Sequence, residues 1–406
     1  MRPGANTKLR IDIPEFSTWP EYLICTMKIA FVYDAVYPWE KGGAQKRIWE
    51  LARRLADDHE VHLFGMHYWD GPSVVQRDDV ILHGVCEPYE LYTDGRRSIP
   101  QALRFAAKVL PALLKEDFDI VDCQEFPYFP CFSAKVHELV WRSTLVITWY
   151  EVWDDYWYDY LGPKGVFGKF VERGTIDLAD TIIPISDYIE ADLKELGRTD
   201  GLSVVPNGVD YHGLQEISPA DSQWDVIYFG RLSEHKNVDL LLEATKFVTE
   251  EMGEAPSVGI IGDGPERDDL EAYARELGVD DTVEFLGFVE ADEDVIGHLK
   301  SSTVFVLPSI REGFPNTILE ANACGVPSIV VDHPENGSVA VVEDGETGYI
   351  TEVSSQAIAE RVVDVLSSDE TREQLSDGAR AFGKEHDWDR IVDRLETTYL
   401  DAVRHG

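Results

Sequence analysis

The chain has 406 residues, 44% of them apolar and 11% aromatic, too many for one ordinary core and enough to build two. Its 76 acidic residues against 36 basic ones give a net charge of −40, which repels polyanions and sets nucleic acid aside as a partner. The acids run through amphipathic segments beside ten tryptophans rather than forming a tail, the pattern of a folded surface adapted to a salt-rich cytosol.

The excess is uneven: residues 1–205 hold 22 Lys+Arg and 33 Asp+Glu, net −11, and residues 206–406 hold 14 and 43, net −29. The first half is therefore the less repelled by an anionic surface. Cys25, Cys86, Cys123, Cys131 and Cys324 are odd in number and form no C-x-x-C pair, so they read as buried reduced thiols of a cytoplasmic protein, not a disulfide framework or a zinc site. Lys28 and Asp34 interrupt the apolar stretch from Tyr22 to Val36, which excludes a signal peptide or membrane span there.

Residues 1–26 contain Pro3, Pro14 and Pro20 without periodicity and read as a disordered extension or a mis-assigned start. Met27 opens an apolar run that reads as a buried strand. Alternation follows, with a helix over 44–58, a strand over 61–64, a helix over 103–114, and strands over 120–123, 145–148, 182–185 and 203–205. Pro206, Asn207 and Gly208 form a turn signal, and a second alternating unit begins at Val226, with strands at 226–229, 258–261, 283–286, 304–307 and 328–331. The expected fold class is α/β: two Rossmann-like parallel-sheet domains, 27–206 and 207–385, facing each other across a cleft.

Two motifs carry chemistry. After the strand at 304–307 come Glu312, Gly313, Phe314, Pro315, Asn316 and Thr317, then Glu320 inside a helix. Such a strand–loop–helix start aims free N–H groups and the helix dipole at the carboxyl edge of the sheet, where open α/β sheets bind phosphate. Two carboxylates there suit a polyhydroxyl ligand, since each accepts from paired hydroxyls. In a chain this acidic, two solvated helix-end acids are the bland alternative. The strand at 226–229 ends in Gly230, and its loop carries Arg231 and Lys236, an expected diphosphate clamp whose alternative is a pair of surface cations matched to Glu234 and Asp239.

Those residues resemble the retaining, GT-B-fold glycosyltransferases of family 4, over roughly Met27 to the end. The resemblance implies that Gly230, Arg231 and Lys236 bind the donor's diphosphate, Glu320 the ribose hydroxyls, and Glu312 the transferred sugar beside the Phe314, Pro315 and Asn316 amides, with Thr317 on phosphate. Gly262 and Gly264, and Phe288 and Val289, look like family segments lining the nucleotide pocket; a G-x-G at 262–264 without its third glycine does not support a dinucleotide-dependent dehydrogenase. Gly42 and Gly43 resemble the acceptor-side glycine loop. Thr148 to Trp153 matches the stretch where the family has a His followed by an acid; Tyr150 stands in the His position, with Glu151 and Trp153 after it. The C-terminal segment 386–406 is expected to cross back to the first domain.

The implied function is transfer of a hexose from a UDP- or GDP-linked sugar to a hydroxyl of a glycan, lipid-linked or small-molecule acceptor, with no metal and no cofactor, in a halophilic archaeal cytoplasm. An epimerase of the same fold and an inactive nucleotide-sugar scaffold are the competing readings, the latter because of Tyr150. Two further stretches suggest peripheral membrane contact: Arg96, Arg97, Arg104, Lys108 and Lys115 around an apolar helix, and the aromatic run from Trp149 to Tyr160. For each the bland alternative is ordinary packing against the domain.

Overall fold

The computed structural model describes residues 26–93 and 96–405. Apart from Thr26, the expected terminal extension lies outside them. The N-terminal domain is built on β1 (Lys28–Val32), β2 (Glu60–Gly65), β3 (Val74–Arg77), β4 (Val80–Gly84), the two-stranded β5–β6 (Tyr92–Thr93 and Arg96–Arg97), β7 (Ile120–Gln124), β8 (Thr144–Trp149) and β9 (Thr181–Pro184). Its main sheet runs β3-β4-β2-β1-β7-β8-β9, parallel except for the β3–β4 edge. β1 sits at the centre because Ile29, Ala30, Phe31 and Val32 are wholly apolar and bury on both faces.

The C-terminal domain repeats this plan with β10 (Trp224–Phe229), β11 (Val258–Ile261), β12 (Val283–Gly287), β13 (Ser302–Leu307), β14 (Ser328–Val331) and β15 (Gly348–Thr351), all parallel in the order β12-β11-β10-β13-β14-β15. The fold is thus two Rossmann-like domains, and β10 and β13, whose loops carry the two chemical motifs, are central neighbours.

The chain crosses between domains twice, and the crossings are bonded together. Val209 N–H donates to His386 O at 2.8 Å and Trp388 N–H to Val209 O at 3.1 Å. Helix Trp388–His405 then packs Trp388, Ile391, Leu395 and Tyr399 into the N-terminal core, and the Tyr399 hydroxyl reaches buried Asp122 at 2.6 Å. Arg47, 1% exposed, fixes the first crossing by donating to Pro206 O at 2.5 Å, Val205 O at 2.8 Å and Asn207 Oδ1 at 3.0 Å. Arg47→Ala strands these three acceptors, each at about 1–3 kcal/mol, so a loss of roughly 3–9 kcal/mol is expected in denaturant unfolding; an unchanged midpoint would refute it.

Several elements differ from the sequence reading. Residues 203–205 form no strand; Ser203 and Val205 only bond the edge of β9, at Ile182 O and Pro184 O. The β3–β4 hairpin turns on Asp78 and Asp79, both with positive φ, a type I′ geometry reached without the usual glycine. Helix Phe129–Trp141 went unread because apolar residues lie on its outer face as well as its inner one. Cys86 and Cys324 are partly exposed rather than buried, while Cys123 and Cys131 are buried. Arg97 belongs to no basic surface: its Nη2 meets Asp34 Oδ1 at 2.7 Å in a buried ion pair.

Candidate functional site

The β13 exit loop and the β10 exit loop hold each other. Ile310 N–H donates to His235 O at 3.0 Å, Asn237 Nδ2 to Pro308 O at 3.3 Å, and Asn237 takes the left-handed conformation that turns Lys236 inward. Lys236 Nζ then meets Glu312 Oε1 at 2.5 Å, with only 16% and 13% of the two side chains exposed. This replaces the surface pairing with Glu234 or Asp239 that the spacing also allowed. Glu312 is itself pinned through its backbone, accepting from Gly337 N–H at 2.8 Å and donating to Glu335 O at 3.1 Å. Gly313 has open space where a Cβ would stand, so the loop backbone faces the cavity unobstructed.

Pro315 caps helix Asn316–Cys324 and accepts from Ile318 N–H at 3.1 Å; ahead of that bond, Asn316 and Thr317 open the helix on the wall of an interdomain cavity, at the positive end of its dipole. Glu320 lies one turn inside. Burial raises its carboxyl above the ordinary range although Lys46 Nζ of the other domain stands 3.5 Å away. The two sequence-predicted carboxylates thus face different cations from different domains. Behind the clamp, Gly262 has φ 141° and a Cβ there would lie 1.8 Å from Gly230 O, while one on Gly264 would lie 2.0 Å from Leu232 O. Only glycines let the β11 loop press against the β10 loop so closely. Arg231 is exposed and forms no ion pair among the described residues. Phe288 is exposed and Val289 half-buried, beside the carboxyl end of β12.

Three cavities line the interface. One of about 320 Å³ joins Gly42, Gly43 and Lys46 to Asn316, Thr317 and Glu320. A second of about 290 Å³ joins Glu151 and Trp153 to Arg311, Glu312 and Gly313. A third of about 250 Å³ lies between Glu125, Tyr150, Glu151 and Trp153 on one side and Gly313 and Phe314 on the other. Gly43 walls the first and third and Gly313 the second and third, so Gly42, Gly43, Tyr150, Glu151 and Trp153 meet Glu312, Gly313, Phe314, Asn316, Thr317 and Glu320 along one cleft, whereas Gly230, Arg231, Lys236, Gly262, Gly264, Phe288, Val289 and Pro315 line none of these three cavities. Cross-domain bonds hold it: Asn207 Nδ2 to Asn316 Oδ1 at 2.9 Å and Arg311 Nη2 to Glu151 Oε1 at 3.5 Å.

The Tyr150 hydroxyl donates inward to Gln124 Oε1 at 2.6 Å, and its ring lies on the cavity wall. Most of the aromatic run packs too: Trp149 and Trp157 are buried, and Trp153 lies against Phe126, Trp157 and Tyr160. Buried Glu172 organises that turn, accepting from the Trp153 and Asp154 N–H groups and from Trp157 Nε1.

Sequence reasoning missed Lys46, Asn207, Arg311 and Glu125. The first three are visible only once the domains face each other. Glu125, 2% exposed at the end of β7, has no partner for Oε2 among the described residues, and burial pushes its carboxyl well above the ordinary range. The folded chain therefore keeps a proton there that the unfolded chain releases near pH 4.5. Stability is lost as pH rises from that point toward the folded value. Glu125→Gln, with no proton to lose, is expected to be more stable than the wild type at neutral pH and equal to it below about pH 4.5 in denaturant unfolding. A Gln variant less stable at neutral pH would contradict this.

Residues 41–212 match the family Glycosyltransferase Family 4, and residues 214–382 match Glycosyl transferases group 1. The chain is 24% identical over 374 residues, 90% of its length and 96% of the other, to the Campylobacter jejuni enzyme named GalNAc-alpha-(1->4)-GalNAc-alpha-(1->3)-diNAcBac-PP-undecaprenol alpha-1,4-N-acetyl-D-galactosaminyltransferase. Among solved structures it resembles sucrose-phosphate synthase of Thermosynechococcus elongatus, with TM-score 0.73, 18% identity, and 93% and 99% of the two chains covered. It also resembles HepE of Anabaena in complex with UDP, with TM-score 0.71, 19% identity, and 92% and 100% covered. At these identities the structural likenesses establish the fold.

Proposed function

Given that the chain is a glycosyltransferase of GT-B fold, we propose that it moves a hexose from a nucleoside-diphosphate sugar to an acceptor hydroxyl with retention of configuration. The observation that carries this reading is the Lys236–Glu312 pair held beside the free amides of helix Asn316–Cys324, at the carboxyl edge of the sheet.

The diphosphate lies against those amides with Lys236 and Arg231 around it, Glu320 accepts from the ribose hydroxyls, and Glu312 orients the sugar. A base stacks near Gly262, Gly264, Phe288 and Val289. The acceptor enters between Gly42, Gly43, Glu151 and Trp153. Its oxygen bonds to the anomeric carbon on the face that the diphosphate leaves, the carbon–phosphate-oxygen bond breaks, and the hydroxyl proton passes to the departing phosphate. The charge that develops there is stabilised by the two cations and the helix N-terminus. In this reading they do the work of a divalent ion, and activity is metal-independent.

UDP is the nucleotide in the HepE complex, and the Campylobacter enzyme's name includes an undecaprenol-linked glycan. By those likenesses the donor is UDP-linked and the acceptor lipid-linked, on the cytoplasmic side. Turnover is expected to be unchanged by EDTA and to give a product with the donor's anomeric configuration by NMR. Loss of activity in EDTA restored by Mg²⁺, or an inverted product, would overturn the corresponding part. An epimerase would instead turn over donor with no acceptor added.

A further inference from the structure

The part of the cleft around Glu151 and Trp153 carries almost no positive charge. The cavity of about 250 Å³ beside Glu125, Tyr150, Glu151 and Trp153 has no Lys or Arg on its wall, and the adjoining one of about 290 Å³ has Arg311 alone. Arg311 is engaged twice, by Glu151 Oε1 at 3.5 Å and by the Tyr156 ring, whose centroid lies 4.0 Å from the guanidinium carbon. Around it the second cavity sets Asp154, Asp155, Asp192 and Glu335, besides Glu312 on its Lys236. Lys169 and Arg173, outside both walls, answer only Asp154 and Asp155, and Asp192 and Glu335 form no ion pair among the described residues.

An acidic wall alone does not define a ligand, but Glu125 points to one. It is 2% exposed, its Oε2 has no partner among the described residues, and it lines the first of these two cavities. A buried carboxyl oxygen left unpaired costs free energy that a ligand hydroxyl recovers by hydrogen-bonding to it. Trp153 walls both cavities and Tyr150 the first, so apolar ring surface alternates with polar groups. That mixture suits a sugar ring, apolar on its C–H faces and polar around its rim. Among the described residues these carboxylates nowhere bring three ligand atoms within 4.8 Å of one another, so they are spaced for separate hydroxyls and not for one metal ion.

An anionic group placed in either cavity would stand among carboxylates with no unengaged cation to meet it, between two domains where like charges repel more strongly than in bulk water. We propose that the acceptor is an already elongated glycan, uncharged or amino-bearing, whose sugars fill both cavities, and that any phosphate joining it to a lipid stays outside them. The proposal rests on the transferase reading above and narrows its acceptor. Glu125 takes a hydroxyl of the terminal sugar, and Asp192 and Glu335 flank the sugar behind it. The enzyme thus extends a glycan and does not start one: an earlier glycosyl transfer onto the phosphate-bearing carrier must supply its substrate.

The test is saturation-transfer NMR of the full chain in about 0.1 M KCl, with and without UDP or GDP. The probes are disaccharides of hexoses, hexosamines and N-acetylhexosamines, each paired with its phosphate ester or uronic acid. At least one neutral or amino disaccharide is expected to bind, and to bind at least about tenfold more tightly than its anionic counterpart. Glu125→Ala is expected to weaken that binding about tenfold, the worth of one hydrogen bond, and Glu125→Gln to restore most of it. Asp192→Lys/Glu335→Lys is expected to bring the anionic counterpart up to the neutral one, a gain that a merely structural role would not give. Thermal melting shows that the variants fold. An anionic saccharide that binds the wild type as well as its neutral partner, no binding by any member, or variants that bind like the wild type would overturn the proposal. Nucleotide titration separates the two readings: if nucleotide binds while the saccharides fail, the acceptor class falls and the transferase reading stands, and if nucleotide itself does not bind, it is the transferase reading that falls.

Discussion

Lys236→Ala is expected to lower kcat by about 10²–10³-fold, the cost typical of removing one preorganised group that faces developing charge. Lys236 is held at 2.5 Å from Glu312 in a site with little solvent, between loops that bond each other, so its charge needs no reorganisation as the diphosphate departs. The variant also leaves Glu312 without its cation, which repels the incoming diphosphate and weakens donor binding by a smaller factor. Arg231→Ala is expected to cost less, because that side chain is exposed and must first settle on the ligand. Steady-state release of nucleotide from the donor sugar checks both, and an unaltered kcat for Lys236→Ala would remove the clamp from the mechanism.

Glu320→Ala is expected to weaken donor binding by on the order of 100-fold or more. Two charge-assisted hydrogen bonds to vicinal hydroxyls contribute about 1.5–3 kcal/mol each, and about 1.4 kcal/mol is tenfold in affinity. Removing the carboxylate also frees Lys46, so the variant loses the cross-domain ion pair at 3.5 Å that draws the first domain toward the nucleotide. A 2′,3′-dideoxy nucleotide distinguishes the two losses. It forfeits only the hydroxyl contacts, so it should bind the wild type less weakly than the ordinary nucleotide binds the variant, and the variant should not discriminate between them.

The fold was legible because both domains open on largely apolar strands followed by helical periodicity, and because Gly230 and Gly262 fall just past strand ends. What periodicity could not show is instructive. Helix Phe129–Trp141 is apolar on two faces, so its inward stripe stands out weakly in the sequence. The β3–β4 hairpin uses two aspartates in positive φ where glycine or asparagine would have signalled a turn.

The donor side of the site was readable since its residues lie close in sequence, within the two loops after β10 and β13. The other side was read less well, because it is assembled from long-range partners. Lys46 reaches Glu320 across 274 positions, and Asn207 reaches Asn316 across 109. Glu125 carries no local signal at all: its importance comes from a buried carboxyl whose Oε2 has no partner among the described residues, which only packing decides. Tyr150 was placed at the cleft by its motif, but the direction of its hydroxyl depended on Gln124 beneath it.

The most direct test of the central claim is calorimetric titration of the metal-free protein with UDP and GDP, comparing the wild type with Glu320→Ala and Lys236→Ala. The account predicts that one nucleotide binds the wild type and that both variants lose most of that affinity while remaining folded. Absence of binding by a folded wild type, or binding that both substitutions leave intact, would contradict it.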